Sequence, residues 1–305
     1  MAVGVTGASG RLGQRVAEFL LARIDPGDVV LLTRAPEALA RYSERGVVVR
    51  RADFDEPSSL SDAFAGVDRM LLISAVDLDR RAGQHGAAIE AASAAGVRHV
   101  LYTSIPHPEG NPAAVAPSHL ATEQALRESG LAWTFLRNNL YAEYQAPVVA
   151  QAIESGQYFT SAGDGRTAYV SRDDCAATAA AVLVQDGHEH QAYDVTGPEA
   201  IGPNELAALA TELGGRPVEV VQVDDGALVA RMVDAGVPEV AARVMVSFPA
   251  AARQGLLGSV SSAVKDLTGA TATSPRDVVR ACLAGSGARR ARALPGRSGG
   301  EQTDR

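Results

Sequence analysis

The chain opens with a short apolar run that breaks into Thr6-Gly-Ala-Ser-Gly-Arg-Leu-Gly13, and a stretch with apolar residues at helical spacing follows at once. Gly7, Gly10 and Gly13 recur there at every third position. The spacing alone is a weak signal. Between a strand and an amphipathic helix it gains a physical purpose: the first glycine permits a tight turn, the second lets backbone approach a pyrophosphate, and the third lets helix and strand pack closely. The helix end beyond adds free amides and a partial positive charge suited to phosphate. Gly7, Ser9, Gly10, Arg11, Leu12 and Gly13 are therefore candidate dinucleotide contacts. The Gly-Lys-Ser/Thr of a nucleoside-triphosphate loop is missing.

Outward from this loop, apolar runs alternate with amphipathic stretches. Strands are expected over residues 2–6, 29–33, 47–50, 70–74, 99–103 and 132–137, and helices over 11–22, 36–44, 60–64, 84–95 and 120–129. Such alternation means βαβ units and a doubly wound parallel sheet of Rossmann type. Beyond about residue 145 the pattern loosens. A helix capped by Asp173 or Asp174, a strand over 192–195, helices over 203–213 and 226–235, and a strand over 218–223 suggest a smaller carboxyl-terminal α/β lobe. The expected organisation is a dinucleotide-binding domain over 1–150, with returning segments near 168–198. A substrate lobe over 151–284 and a disordered tail over 285–305, rich in Gly, Ser and Arg, complete it.

Where the second strand ends, in Leu-Leu-Thr-Arg34, a dinucleotide fold that prefers NAD usually carries an acidic residue for the ribose hydroxyls. Arg34 stands there instead. A guanidinium pairs with a 2′-phosphate through bidentate hydrogen bonds, so NADPH is the expected cofactor; the alternative is a plain surface arginine. Asp53, ending the third strand, either contacts the adenine edge or caps the following helix.

Composition narrows the partners. With 305 residues and 46% hydrophobic content the chain can bury a sizeable core. A net charge of −8 argues against nucleic-acid binding. No apolar run reaches the length of a membrane helix, no secretory leader is readable, and Cys175 and Cys282 are too few for a disulfide framework. A cytoplasmic protein, monomeric or homodimeric, is expected. His188-Glu-His190 has metal-ligand spacing without a third ligand, so no metal site is expected.

Several segments in order resemble the NmrA-like family of atypical short-chain dehydrogenases. The most similar branch contains NADPH-dependent quinone oxidoreductases and triphenylmethane dye reductases. The likeness is carried by VTGASGRLG, LLTR, RADFDEPSSL, LLIS, AAGVRHVLYTS, HLATEQALRESGLAWTFLRNNLY, GDGRTAYVSRDDCA, DGHEHQAYDVTG and ELAALATELGG, and it runs to about residue 284. It implies that Ile73 and Ser74 line the cofactor and that Thr103 and Ser104 flank the nicotinamide. It further implies that Asn138 and Tyr141 close over the nicotinamide side, and that His119 lies near the nicotinamide ribose. Each has a plainer alternative as a packing, turn or solvated residue.

Ordinary short-chain dehydrogenases use a Tyr-x-x-x-Lys pair to move the proton. The only lysine, Lys265, has Ser261 four residues before it, so that pair does not exist here. Hydride transfer to an acceptor that stabilises its own charge remains feasible, a quinone or similar conjugated electrophile being the expected substrate. His119 is the expected proton donor, because imidazole titrates near neutrality, with Tyr141 and Ser104 as further catalytic candidates. The alternatives are a non-catalytic NADP sensor, or a biosynthetic reductase or isomerase acting on a polycyclic quinone-like intermediate.

Overall fold

The computed structural model describes residues 1–293, giving the backbone alone for 286–293. The first half builds strand β1 (Val3–Val5), helix α1 (Arg11–Leu21), β2 (Val29–Thr33), the single turn α2 (Ala40–Ser43) and β3 (Val48–Arg51). Helix α3 (Leu60–Phe64), β4 (Arg69–Leu72), α4 (Arg81–Ala94), β5 (His99–Ser104), α5 (Ala116–Glu128) and β6 (Ala132–Asn138) continue the alternation. Every strand pair is parallel. Strands with helices on both faces are buried on both faces, so β2, β4 and β5 have no exposed position. Two apolar clusters, one on each face, hold the helices to the sheet.

Then the chain leaves the sheet. Helix α6 (Gln145–Ser155) and β7 (Gln157–Thr160) begin a second lobe, and α7 (Arg172–Val184) and β8 (Gln191–Val195) return to the first. Strand β8 pairs with β6, while α7 packs against α1. The seven-stranded order is β3-β2-β1-β4-β5-β6-β8. It reverses between β1 and β4, the place where open α/β sheets take ligands. The smaller lobe holds α8 (Pro203–Gly214), β9 (Glu219–Gln222), α9 (Asp225–Asp234) and α10 (Glu239–Arg253); α11 (Ala263–Thr268) packs back onto α7 and β8 of the first lobe, and α12 (Pro275–Ala293) follows against α6 and α8. Strands β7 and β9 form a parallel pair there. No helix among the described residues is long and apolar enough to cross a membrane.

Differences from the sequence reading have local causes. Helix α5 starts at Ala116 rather than Leu120, because Pro117 sits in its first turn, where a missing amide costs nothing. Helix α7 is capped by Ser171, whose hydroxyl accepts from Asp174 N at 2.8 Å, so Asp173 and Asp174 are first-turn residues and not caps. Helix α12 runs through Ala293, past the expected start of a disordered tail at residue 285; arginine and alanine are good helix formers. The rest of that expected tail, residues 294–305, lies outside the described residues.

Candidate functional site

Gly7 follows β1 with φ +60°, a left-handed conformation that suits glycine. The chain then turns into α1, whose N-cap is Gly10 and carries no side-chain cap. The first-turn amides of α1 are thus left for an external anion. Gly13 sits where helix and loop touch: a Cβ there would lie 2.5 Å from the Gly7 carbonyl oxygen and 2.7 Å from Ala8 Cα. Ser9 is held by the Thr33 hydroxyl, which donates to it at 2.9 Å.

These residues form one end of a cleft of about 540 Å³ across the carboxyl ends of β1, β2, β3 and β4. It brings together Gly7, Ser9, Gly10, Arg34, Asp53, Ile73 and Ser74, as the sequence suggested. Arg34 is exposed and has no ion pair among the described residues, so a phosphate would meet a free guanidinium. Asp53 does not cap a helix; its Oδ1 accepts from Asp55 N at 3.1 Å in a tight turn. Arg11 opens onto a neighbouring groove, also without an ion pair among the described residues. Leu12 and Gly13 are buried and can offer only backbone.

The sequence missed Phe54, Arg80 and Gln84, all of which line the cleft. Arg80 bridges its two lips, reaching Asp55 at 3.0 Å and Asp77 at 2.8 Å, and Gln84 Nε2 donates to Asp55 at 2.9 Å. The available signal was Asp77 three residues before Arg80, an acid–base pair at helical spacing; helix α4 begins three residues earlier than its apolar pattern suggested.

Residues expected at the nicotinamide end lie at the carboxyl ends of β5 and β6, beyond the walls of this cavity. Thr103 is buried, and its hydroxyl accepts from Ser74 N at 2.9 Å, so it supports the wall from behind. Asn138 is buried at the end of β6, and its Oδ1 has no hydrogen-bond partner among the described residues. Burial pushes the Tyr141 phenol far above its usual range, Cys175 adding to the shift and the Asn138 amide opposing it. Tyr141 therefore stays protonated at neutral pH.

Two catalytic expectations need correction. The hydroxyl of Ser104 donates to Glu123 Oε1 at 2.7 Å, and Glu123 is fully buried between Arg127 at 3.1 Å and Arg137 at 2.7 Å. A buried carboxylate needs such donors, so Ser104 is spent on the fold. His119 is 4% exposed, with Nδ1 2.8 Å from the Tyr102 hydroxyl and Nε2 3.3 Å from Arg81. Burial, then Arg81 and His85, lower its pKa to about 3. It is neutral near pH 7, so titration near neutrality does not make it the proton donor.

Comparisons with known proteins point to a dinucleotide-binding family as well. A model of the NAD(P)H-binding family matches residues 7–186. The chain belongs to that family. Within it, the chain is 34% identical over 272 residues to quinone oxidoreductase 2 of Escherichia coli, covering 89% of this chain and 95% of the relative. It is 32% identical over 289 residues to an NmrA-like oxidoreductase of Aspergillus flavus, covering 92% and 94%. The crystal structure of the E. coli NADPH-dependent quinone oxidoreductase, complexed with NADPH, matches with a TM-score of 0.89 at 33% identity, over 92% of this chain and 99% of that one. A Citrobacter triphenylmethane reductase complexed with NADP(H) matches with a TM-score of 0.88 at 34% identity, over 93% and 100%. The NmrA-like resemblance drawn from the motifs therefore holds, and the chain is a member of an NAD(P)H-binding oxidoreductase family.

Proposed function

We propose that the protein is an NADPH-dependent reductase that delivers hydride to a quinone or a similarly conjugated electrophile. The observation that carries this reading is Arg34, without an ion pair among the described residues, at the rim of a glycine-loop cleft in a chain without a Tyr-x-x-x-Lys pair. Relatives named for quinones and for triphenylmethane dyes support the acceptor class.

In this reading the uncapped end of α1 binds the pyrophosphate, Arg34 holds the 2′-phosphate, and the wall Ile73–Ser74 runs beside the ribose. The bound cofactor supplies a hydride from its reduced ring. Asn138 Oδ1, buried and without a hydrogen-bond partner among the described residues, would be the acceptor for that ring's carboxamide if the end of β6 opened toward the cofactor. A quinone that gains a hydride becomes a hydroquinone anion and takes one proton. His119 and Tyr141 hold their present protonation states near neutral pH and Ser104 is committed to Glu123, so water supplies that proton. The protein's contribution is alignment of the two reactants and exclusion of bulk water from between them.

The test is oxidation of NADPH by the purified protein with a simple benzoquinone and with a cationic triarylmethane dye, followed by loss of coenzyme absorbance. Turnover with one formal hydride per acceptor supports the assignment. Tight NADPH binding with no turnover across both acceptor classes would replace it with a dinucleotide sensor.

A further inference from the structure

The segment after β4 lines the cleft with backbone as much as with side chains. Three consecutive amides in it are captured by buried side chains. Ile73 N donates to Thr6 Oγ1 at 3.0 Å, Ser74 N to Thr103 Oγ1 at 2.9 Å, and Ala75 N to His85 Nε2 at 2.9 Å. The carbonyl of Ala75 in turn accepts from Arg81 Nε at 2.6 Å. Arg81 and His85 are four residues apart and share one face of α4. One helix thus grips both backbone groups of a single cleft residue.

The direction of every bond behind Ala75 follows from what each atom can do. Because His85 Nε2 accepts, its proton is on Nδ1, which donates to Thr122 Oγ1 at 2.8 Å, and that hydroxyl donates to Ser118 O at 2.8 Å. Arg81 can only donate, so it gives hydrogen bonds to Ser118 Oγ at 3.2 Å and His119 Nε2 at 3.3 Å. The remaining proton of His119 then lies on Nδ1, facing the Tyr102 hydroxyl. Burial, reinforced by Arg81, lowers the His85 pKa to about 3, so the accepting tautomer is held at neutral pH. Arg81 itself is 5% exposed, and no carboxylate among the described residues pairs with it. A guanidinium taken out of water without a counter-ion is costly unless its donors are used. Here they are used on the cleft wall and on α5.

We propose that Arg81 and His85 are positioning residues for the dinucleotide, pegging Ala75 so that the Ile73–Val76 wall keeps one shape. With the amides of Ile73, Ser74 and Ala75 spent and the Ala75 carbonyl taken by Arg81, the backbone groups that Ile73 and Ser74 can offer a ligand are carbonyl oxygens, acceptors matched to ribose hydroxyls and not to phosphate. His119 acts through Arg81, as the neutral acceptor that seats the guanidinium. The proposal rests on reading the cleft as the dinucleotide site.

The experiment is titration of NADPH fluorescence with the full chain and its variants, together with melting temperatures. His85→Leu is expected to raise the NADPH Kd at least tenfold, with kcat within twofold on any accepted quinone. His85→Gln, whose amide oxygen can accept from Ala75, is expected to restore most of the affinity. Arg81→Lys keeps the charge without Nε and is expected to weaken NADPH several-fold. Ile89→Ala, a core truncation on the same helix, serves as control and is expected to lower the melting temperature with Kd within twofold. Should His85→Leu not fold, the His85→Gln and Arg81→Lys pair still decides. Wild-type affinity in His85→Leu or in Arg81→Lys, no recovery in His85→Gln, or an equal Kd change in Ile89→Ala would overturn the proposal. Failure of the unmodified protein to bind NADPH would instead remove the cleft assignment itself.

Discussion

Replacing Arg34 by alanine is expected to weaken NADPH about tenfold and to leave NADH within twofold. Arg34 is exposed and engaged in no ion pair among the described residues, so nothing has to be broken for it to meet a phosphate. Hydrogen bonds to charged groups contribute about 1.5–3 kcal/mol, and an exposed guanidinium belongs at the lower end. About 1.4 kcal/mol corresponds to a factor of ten. Arg34→Glu removes the same bonds and adds like-charge repulsion of about 1 kcal/mol per charge pair in water at 4 Å, so it should cost roughly another fivefold or more. Salt provides an internal check. The screening length falls from about 30 Å at 0.01 M to about 3 Å at 1 M, so the wild-type preference for NADPH should shrink with salt while that of Arg34→Ala stays flat. The measurement is the Kd of each coenzyme by fluorescence titration and the ratio of kcat/KM for NADPH over NADH. Parallel weakening of both coenzymes, or no change in either, would refute the reasoning, because a 2′-phosphate contact can touch only one of them.

Acid should destabilise the fold well above the carboxylate range. His85, His99 and His119 have folded pKa values of about 3, about 4 and about 3, all set chiefly by burial. These lie below the ordinary histidine value, so the unfolded chain takes the protons first. The stability is present above about pH 6.5 and is lost as pH falls toward the folded values, by about 1 kcal/mol per histidine per pH unit. Thermal unfolding at pH 7 and pH 5 should show a clear drop, and an unchanged melting temperature would count against neutral buried imidazoles. Gly13→Ala should abolish NADPH binding and lower stability, since the new Cβ would sit 2.5 Å from a backbone oxygen; scanning fluorimetry with and without coenzyme reads both. Glu123→Gln should cost about 3 kcal/mol in urea unfolding, the lower end for breaking a buried pair, because Arg127 can turn to solvent. NADPH affinity should change little in that variant, and an affinity loss larger than the stability loss would place Glu123 in the site after all.

The parallel sheet was legible because strands buried on both faces read as apolar runs, as in residues 29–32 and 70–73, and helix ends carry glycines such as Gly96 and Gly130. The glycine loop, Arg34, Asp53 and the Ile73–Ser74 wall were legible too, because strand ends in this fold point to one place. Less could be read after residue 145. Helix α10 carries Pro249 in its interior, and α6 with β7 lacks a clean period. The chemistry of single side chains was the least accessible. Ser104 and Glu123 are 19 residues apart in sequence, and Arg81 and His119 are 38 apart, so neither pairing has a local signature. A histidine's pKa depends on who surrounds it, and burial is a property of the assembled fold. Local pattern locates a residue; packing decides what it can do.

The return of α7 and β8 to the first lobe gives the chain a property that neither lobe has alone. A cut near residue 150 would strip away the outermost strand, leaving the hydrogen-bonding edge of Ala132–Asn138 bare and the apolar stripe of Arg11–Leu21 facing water. Half a molecule made that way invites self-association. Insertion, duplication or swapping of the smaller lobe must respect two seams in the polypeptide, not one, and a hybrid joined only at the first seam would carry the glycine loop on a scaffold lacking its last strand.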